Sequence, residues 1–119
     1  MKKLLVMLWG VMLLAASGCC TSQECRLTME KNAVLLDVRT PEEYRAGHLR
    51  WAVNLPLAKV ETGATAVVPD KETPLYVYCR GGRQAAEATG KLLKQGYTRV
   101  CNLGAMKNAG KRLQLPTEK

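Results

Sequence analysis

Two short runs, apolar apart from Asp37 in the first, stand out in the middle of the chain. The first, residues 33–38, is Ala-Val-Leu-Leu-Asp-Val, and the second, residues 75–78, is Leu-Tyr-Val-Tyr. Short continuous runs of β-branched, aliphatic and aromatic residues are typical of strands buried on both faces of a parallel sheet. The pattern therefore predicts two central strands.

Amphipathic segments with clear start and stop signals follow both runs. Residues 40–46 begin with Thr-Pro-Glu-Glu, in which Thr40 can cap a helix and Glu43 completes a capping box; Gly47 would end this helix. Residues 84–95 predict a second helix, which Gly96 would terminate. Its apolar side is formed by Ala85, Ala88, Leu92 and Leu93.

Weaker signals fill the rest of the chain. Residues 52–54 predict a short strand, residues 55–68 a weak helix or loop, and residues 69–74 a turn. Residues 98–102 predict a last strand, and the basic residues 107–119 a loosely held tail. Strands that alternate with helices indicate an α/β fold with a mainly parallel sheet.

The first residues have the parts of a bacterial export signal. Residues 1–18 combine two lysines, an apolar stretch and small residues before Cys19, and we expect them to be removed. Residues 16–19, Ala-Ser-Gly-Cys, resemble a lipobox, in which Cys19 would carry a lipid. Ordinary cleavage and lipid anchoring both remain open. Either outcome predicts a periplasmic protein, with residues 19–29 as a linker.

Composition narrows the classes of partner. The chain has 18 basic against 10 acidic residues, but the basic residues are scattered and have no interleaved aromatics, so we expect no nucleic-acid partner. Five cysteines in an oxidising compartment leave at least one outside an internal disulfide. Cys19, Cys20 and Cys25 lack zinc-site spacing and His48 is distant in sequence, so no metal or cofactor is expected.

Cys79 is the candidate nucleophile. It follows the second strand, at the sheet edge where parallel α/β proteins bind ligands. Gly81 and Gly82 can turn backbone N–H groups inward and form an anion nest at the start of the next helix, which favours a thiolate. Arg80 and Arg83 suit an anionic substrate. A buried, inert cysteine is the competing interpretation, but it would not need this loop.

Four motifs resemble the successive signatures of the rhodanese family. They are residues 36–44, Gly47-His48-Leu49, residues 52–56 and the loop Tyr78-Cys79-Arg80-Gly81-Gly82-Arg83-Gln84. The resemblance covers about residues 30–106 and is greatest to the small exported thiosulfate sulfurtransferases. It implies a rhodanese-like fold with a five-stranded, mainly parallel sheet flanked by helices. It also implies Cys79 as the carrier of a persulfide.

The same resemblance assigns roles around Cys79. Five residues would bind the substrate: Arg80, Gly81, Gly82, Arg83 and Gln84. Four others, Asp37, Arg39, Glu43 and His48, would form a structural hydrogen-bond network near the site. Trp51 replaces a family glycine and is a candidate for the pocket rim. The family fold would also bring Cys25 near Cys101, so a disulfide and a buried free thiol at Cys101 both remain open.

The predicted reaction moves sulfur from thiosulfate to cyanide or a thiol, in a protein we expect to be a monomer. Phosphatases of this fold carry an arginine six positions after the cysteine, where this chain has Ala85, so phosphoryl transfer is disfavoured. The remaining alternative is a persulfide carrier or redox-sensing module that passes sulfur to a protein partner in the cell envelope without turnover.

Overall fold

The computed structural model describes residues 29–119. Six strands and four helices occur in this part of the chain, together with a 3₁₀ turn at Leu57–Lys59. In chain order they are β1 (Val34–Asp37), α1 (Pro41–Ala46), β2 (His48–Leu49), β3 (Val53–Asn54), α2 (Val60–Val67), β4 (Leu75–Cys79), α3 (Arg83–Lys94), β5 (Val100–Ala105), α4 (Met106–Leu113) and β6 (Thr117–Glu118).

The main sheet is parallel and has the strand order β3-β1-β4-β5. The α/β fold with flanking helices is confirmed, but the described residues supply four strands to this sheet rather than the five expected. β2 and β6 instead form a separate antiparallel pair. Pairing of two-residue strands depends on distant parts of the chain, and short-range hydrophobic pattern carries no signal for it.

Side chains alternate between two cores because successive strand residues point to opposite faces. Leu36 of β1 and Val77 of β4 pack with α2 and α3 in the first core. Leu35 and Tyr78 pack on the other face with α4. Cys79 belongs to the first core and Tyr78 to the second, so these chain neighbours lie on opposite faces of the sheet.

The local signals at the helix ends behave as predicted. Thr40 accepts a hydrogen bond from the Glu43 N–H and the Glu43 side chain bonds back to the Thr40 N–H, which completes the capping box of α1. Gly96 follows α3 with φ +102°, a conformation that glycine adopts without strain. The start of α1 and the end of α3 therefore lie where the capping residues of the sequence predict them.

The expectation of a loosely held tail is wrong. Residues 106–113 form α4, whose Ala109 and Leu113 are buried against the second core. The spacing of four residues places both side chains on one helix face. β6 then pairs with β2. Four basic or polar residues around the two apolar positions, with Gly110 between them, concealed this helix in the sequence.

Candidate functional site

Cys79 ends β4 and its sulfur lies under the loop that leads into α3. The residue is only 1% exposed, and β4 pairs with the end of β5 at this point. Sγ accepts hydrogen bonds from the backbone N–H of Gly82 at 2.9 Å and of Ala85 at 3.2 Å. The loop therefore wraps around the sulfur atom.

These two donors explain how α3 begins. The first N–H groups of a helix have no partner within the helix, and Ala85 is the third residue of α3. Its N–H finds an acceptor in Sγ instead of a capping side chain, since Gly82 at the cap position has none. Backbone dipoles and the helix N-terminus thus converge on the sulfur and stabilise negative charge there.

Gly82 and Gly81 differ in conformation. Gly82 has φ +103°, in the region that favours glycine, whereas Gly81 does not have a positive φ of this kind. A Cβ on Gly82 would lie 3.7 Å from the Gly104 Cα, an ordinary contact, so the backbone angle is what requires glycine. Of the two glycines predicted to form the nest, only Gly82 depends on this conformation.

The loop side chains face solvent around the buried sulfur. Arg80, Gly81, Arg83 and Gln84 are all exposed. The Arg80 guanidinium lies 3.7 Å from the Glu43 carboxylate at the start of α1. Its side chain is 82% exposed, so water screens this ion pair and its contribution to stability is small. Two positive charges therefore border the loop without covering it.

A buried ion pair lies on the opposite face of the sheet. The Arg39 guanidinium donates to the Asp37 carboxylate at 2.7 Å and to the Gly47 carbonyl at 2.6 Å. The hydrogen bond to Asp37 raises the pKa of Arg39. The Tyr78 hydroxyl donates to Asp37 at 2.7 Å and accepts from the Leu49 N–H at 3.1 Å. Burial raises the pKa of Tyr78, so its hydroxyl stays protonated.

His48 and Glu43 hold local structure together. The His48 ring stacks on Tyr44 with centroids 3.7 Å apart, and its Nδ1 lies 2.9 Å from the Tyr44 carbonyl oxygen. Glu43 serves the capping box of α1. These contacts, like those of Asp37 and Arg39, give the four side chains a structural role that involves no chemical step. Sequence reasoning missed that the Tyr78 hydroxyl joins Asp37 to the Leu49 N–H, although the hydroxyl of a buried tyrosine usually has a hydrogen-bond partner.

Trp51 does not border the cysteine loop, contrary to expectation. It is 66% exposed, has φ +73° and lines a shallow pocket with Ala33 and Val34 at the beginning of β1. Cys79 lies at the opposite, carboxyl end of the parallel strands. Because Trp51 precedes β3, the strand direction places it at the far end of the sheet.

Cys101 takes part in a disulfide, so the alternative prediction of a free thiol at this position is wrong. Cys79 is the free cysteine of the described residues. Cys25, the expected partner, lies outside the described residues, as do Cys19 and the predicted export signal. The expected pairing of Cys25 with Cys101 would follow if the first strand lay beside the last. Among the described strands, β4 separates β1 from β5.

Residues 29–119 contain no cluster of three or more histidine, cysteine or acidic side chains arranged to hold a metal ion. This part of the chain also contains no helix with the length and apolar character needed to cross a bilayer. At the site, the structure places one sulfur atom with two backbone N–H donors, next to the arginines of the loop.

The model of the rhodanese-like domain family matches residues 21–108, which include the whole cysteine loop, the preceding strand β4 and the following helix α3. The chain belongs to the rhodanese family. The predicted class, a rhodanese-type sulfurtransferase, is confirmed at this level, together with the fold.

Individual rhodanese relatives agree with this assignment. The thiosulfate sulfurtransferase PspE of Escherichia coli is 42% identical over 73 residues, which cover 61% of this chain and 70% of that protein. The putative sulfur carrier protein YrkF of Bacillus subtilis is 32% identical over 78 residues, 66% of this chain and 41% of that protein. A solved rhodanese with anions from E. coli superimposes with a TM-score of 0.67 at 38% identity, covering 73% of this chain and 98% of the other.

Proposed function

We propose that this rhodanese transfers the outer sulfur of thiosulfate to cyanide or a thiol through a persulfide on Cys79. The observation that carries the proposal is the pair of N–H groups, from Gly82 and Ala85, that point at Sγ. A sulfur atom held this way is stabilised as an anion and is a strong nucleophile. The activity in the name of PspE and the anions in the related E. coli structure support this chemistry.

In the first half-reaction the Cys79 thiolate attacks the outer sulfur of thiosulfate. A bond forms between Sγ and that sulfur, the sulfur–sulfur bond of thiosulfate breaks, and sulfite leaves with its electron pair. Arg80 and Arg83 bring positive charge to the entering dianion. The loop N–H groups of Gly81 to Gln84 then surround the terminal sulfur of the persulfide.

In the second half-reaction an acceptor removes that sulfur. Cyanide or a thiolate attacks the terminal sulfur, the bond to Sγ breaks, and Cys79 returns as a thiolate. Charge is conserved in both steps, and neither step needs a proton from a histidine. Asp37, Arg39, Glu43 and His48 support the loop and strands without contacting the reacting atoms.

A steady-state assay tests this function directly. With thiosulfate and cyanide, the purified chain should release sulfite and thiocyanate in equal amounts over many turnovers. Without an acceptor, sulfite release should stop at one equivalent per chain. Absence of sulfite under both conditions would exclude thiosulfate as the donor.

The relative named as a putative sulfur carrier motivates a second candidate function. In that case the chain would take up one sulfur on Cys79 and give it only to a protein acceptor. If sulfite release stops at one equivalent per chain even when cyanide or a small thiol is present, the carrier function is favoured. Sustained turnover with either acceptor would favour the enzyme.

We also propose a periplasmic location, because residues 1–18 have the sequence pattern of an export signal. Lipid on Cys19 would tether the domain to a membrane, and ordinary cleavage would release it. Mass measurement of the N-terminal peptide from the mature protein distinguishes a diacylated Cys19 from a free one. A cytoplasmic protein that retains Met1 would contradict both.

A further inference from the structure

The edge strand of the main sheet, β5, is irregular beside the reacting cysteine. Its register with β4 is regular up to Asn102, and Leu103 is then an extra residue without a counterpart in β4. As a result Ala105, and not Gly104, pairs with Cys79. An extra residue in one strand is a β-bulge, a feature that is common next to active sites because it redirects the groups around it.

The bulge is held in shape by a side chain of the same strand. The Asn102 side-chain oxygen accepts a hydrogen bond from the Gly104 N–H at 2.8 Å, the turn that asparagine forms with the backbone two residues on. Gly104 has φ +78°, in the left-handed region that favours glycine. Because a Cβ on Gly104 would meet no atom within 4 Å, the backbone angle and not crowding requires glycine here.

The bulge packs against the loop that surrounds the sulfur. A Cβ built on Gly82 would lie 3.7 Å from both the Gly104 Cα and the Ala105 nitrogen. The Gly82 backbone therefore rests against the peptide that joins these two residues. The Gly82 N–H in turn donates to Sγ of Cys79 at 2.9 Å. Since closely packed groups transmit displacement, a shift of the bulge would shift this donor.

The strand itself does not explain Asn102. Asparagine is depleted in strands, and this side chain is exposed although its neighbour two residues earlier, Val100, belongs to the first core. Within residues 29–119, the one hydrogen bond of the side chain is the one to the Gly104 N–H. Its contribution to the molecule is therefore the shape of the bulge.

We infer that Asn102 is a positioning residue for sulfur transfer: it fixes the β5 bulge, and the bulge sets the Gly82 N–H on Sγ of Cys79. The inference rests on the proposed function, to which it adds a residue outside the cysteine loop. Asn102 acts only through Gly104 and the loop backbone, and it exchanges no proton or electron pair with the reacting atoms.

The position of the donor is tested on the purified chain without any sulfur donor. In Asn102→Ala, the backbone amide signal of Gly82 should shift in a ¹H–¹⁵N NMR spectrum, and more than that of Ala85, which is held within α3. Asn102→Asp keeps an acceptor oxygen and should leave the Gly82 signal close to its wild-type position. The matched control is Asn32→Ala, an exposed position before β1, which should not move it. An unshifted Gly82 signal in Asn102→Ala would overturn the inference.

Single-turnover sulfite release tests the consequence for the reaction. At saturating thiosulfate, Asn102→Ala should release sulfite about threefold to tenfold more slowly, as expected for the loss of one hydrogen bond. The thiosulfate concentration that gives half the maximal rate should change by less than about twofold, because Arg80 and Arg83 are untouched. Asn102→Asp should restore the maximal rate, and its added charge should affect only the half-saturating concentration.

A double-mutant cycle tests whether Asn102 acts through Gly104. Gly104→Ala forces a Cβ onto φ +78° and should also slow sulfite release. Adding Asn102→Ala to Gly104→Ala should then slow the reaction by less than the product of the two separate factors, because both changes disturb the same bulge. Fully multiplicative effects would overturn the proposed route from Asn102 to the sulfur.

The outcomes also separate this inference from the proposed function. If the wild type releases no sulfite, thiosulfate is not the donor, and the Gly82 amide signal alone decides whether Asn102 positions that N–H. If the wild type releases sulfite and Asn102→Ala matches its maximal rate, the positioning role is overturned while the proposed function stands. Equal slowing by Asn102→Asp and Asn102→Ala would overturn it as well, because the acceptor oxygen would then have no effect.

Discussion

Replacing Gly82 with alanine tests how the loop backbone supports the sulfur. Gly82 has φ +103°, which is costly for any residue with a Cβ, and its N–H is the donor at 2.9 Å from Sγ. The backbone conformation alone should cost about 1–2 kcal/mol. In a domain of this size, each kcal/mol lowers Tm by about 4–8 °C. The space around the new methyl group adds little, because its closest contacts are at 3.7 Å.

The activity of the Gly82→Ala variant should fall further than its stability suggests. If the loop relaxes to relieve the strained φ, the N–H moves off Sγ. A hydrogen bond to a charged group contributes about 1.5–3 kcal/mol, so the rate of sulfite release should fall at least about tenfold. The loss should appear in the first half-reaction, measured in a single turnover with excess thiosulfate.

Gly81→Ala is the matched control. A Cβ at Gly81 meets no atom within 4 Å, and this residue lacks the positive φ of Gly82. Its Tm and its rate of sulfite release should stay close to those of the wild type. Equal effects of the two substitutions, or a Gly82→Ala variant with normal sulfite release, would refute the argument that the Gly82 backbone organises the site.

Three further substitutions test separate parts of the account. Tyr78→Phe should lower the free energy of unfolding by about 1–3 kcal/mol in urea, because the Leu49 N–H and Asp37 lose a buried partner. Since burial raises the pKa of Tyr78, the wild type should lose part of this stability as pH rises above about 10, and Tyr78→Phe should not; parallel pH curves would contradict this. Arg83→Ala should raise the KM for thiosulfate more than the KM for an uncharged sulfur donor. It should also raise the KM for thiosulfate more than Arg80→Ala does, because the Arg80 guanidinium is paired with Glu43. Equal losses of activity with both donors would indicate a collapsed loop. Leu113→Ala should cost about 2 kcal/mol because α4 is packed, whereas exposed Lys111→Ala should change stability by less than about 0.5 kcal/mol; two equally small effects would favour a loose tail.

Local chemistry made much of the site predictable. The capping box at Thr40 and Glu43, the helix end at Gly96 and the strand end at Cys79 are each specified within a few residues of sequence. The position of Cys79 before two glycines at a helix start was enough to identify the loop. The sequence could not distinguish Gly81 from Gly82, because the sign of φ depends on how the loop closes over Sγ.

Features set by distant contacts were not predictable. The β2–β6 pair and α4 depend on packing between segments far apart in the chain, and a helix with two buried residues among lysines has a weak periodic signal. The link from Tyr78 to Asp37 and Leu49 joins three segments through one hydroxyl.

The most direct test of the central claim is intact-mass measurement of the chain after incubation with thiosulfate. The account predicts one added sulfur atom in the wild type, lost when cyanide is added. Cys79→Ser should gain none, although its fold and its Cys101 disulfide should be unchanged. A transferable sulfur that persists in Cys79→Ser, or that maps to another cysteine, would contradict the account.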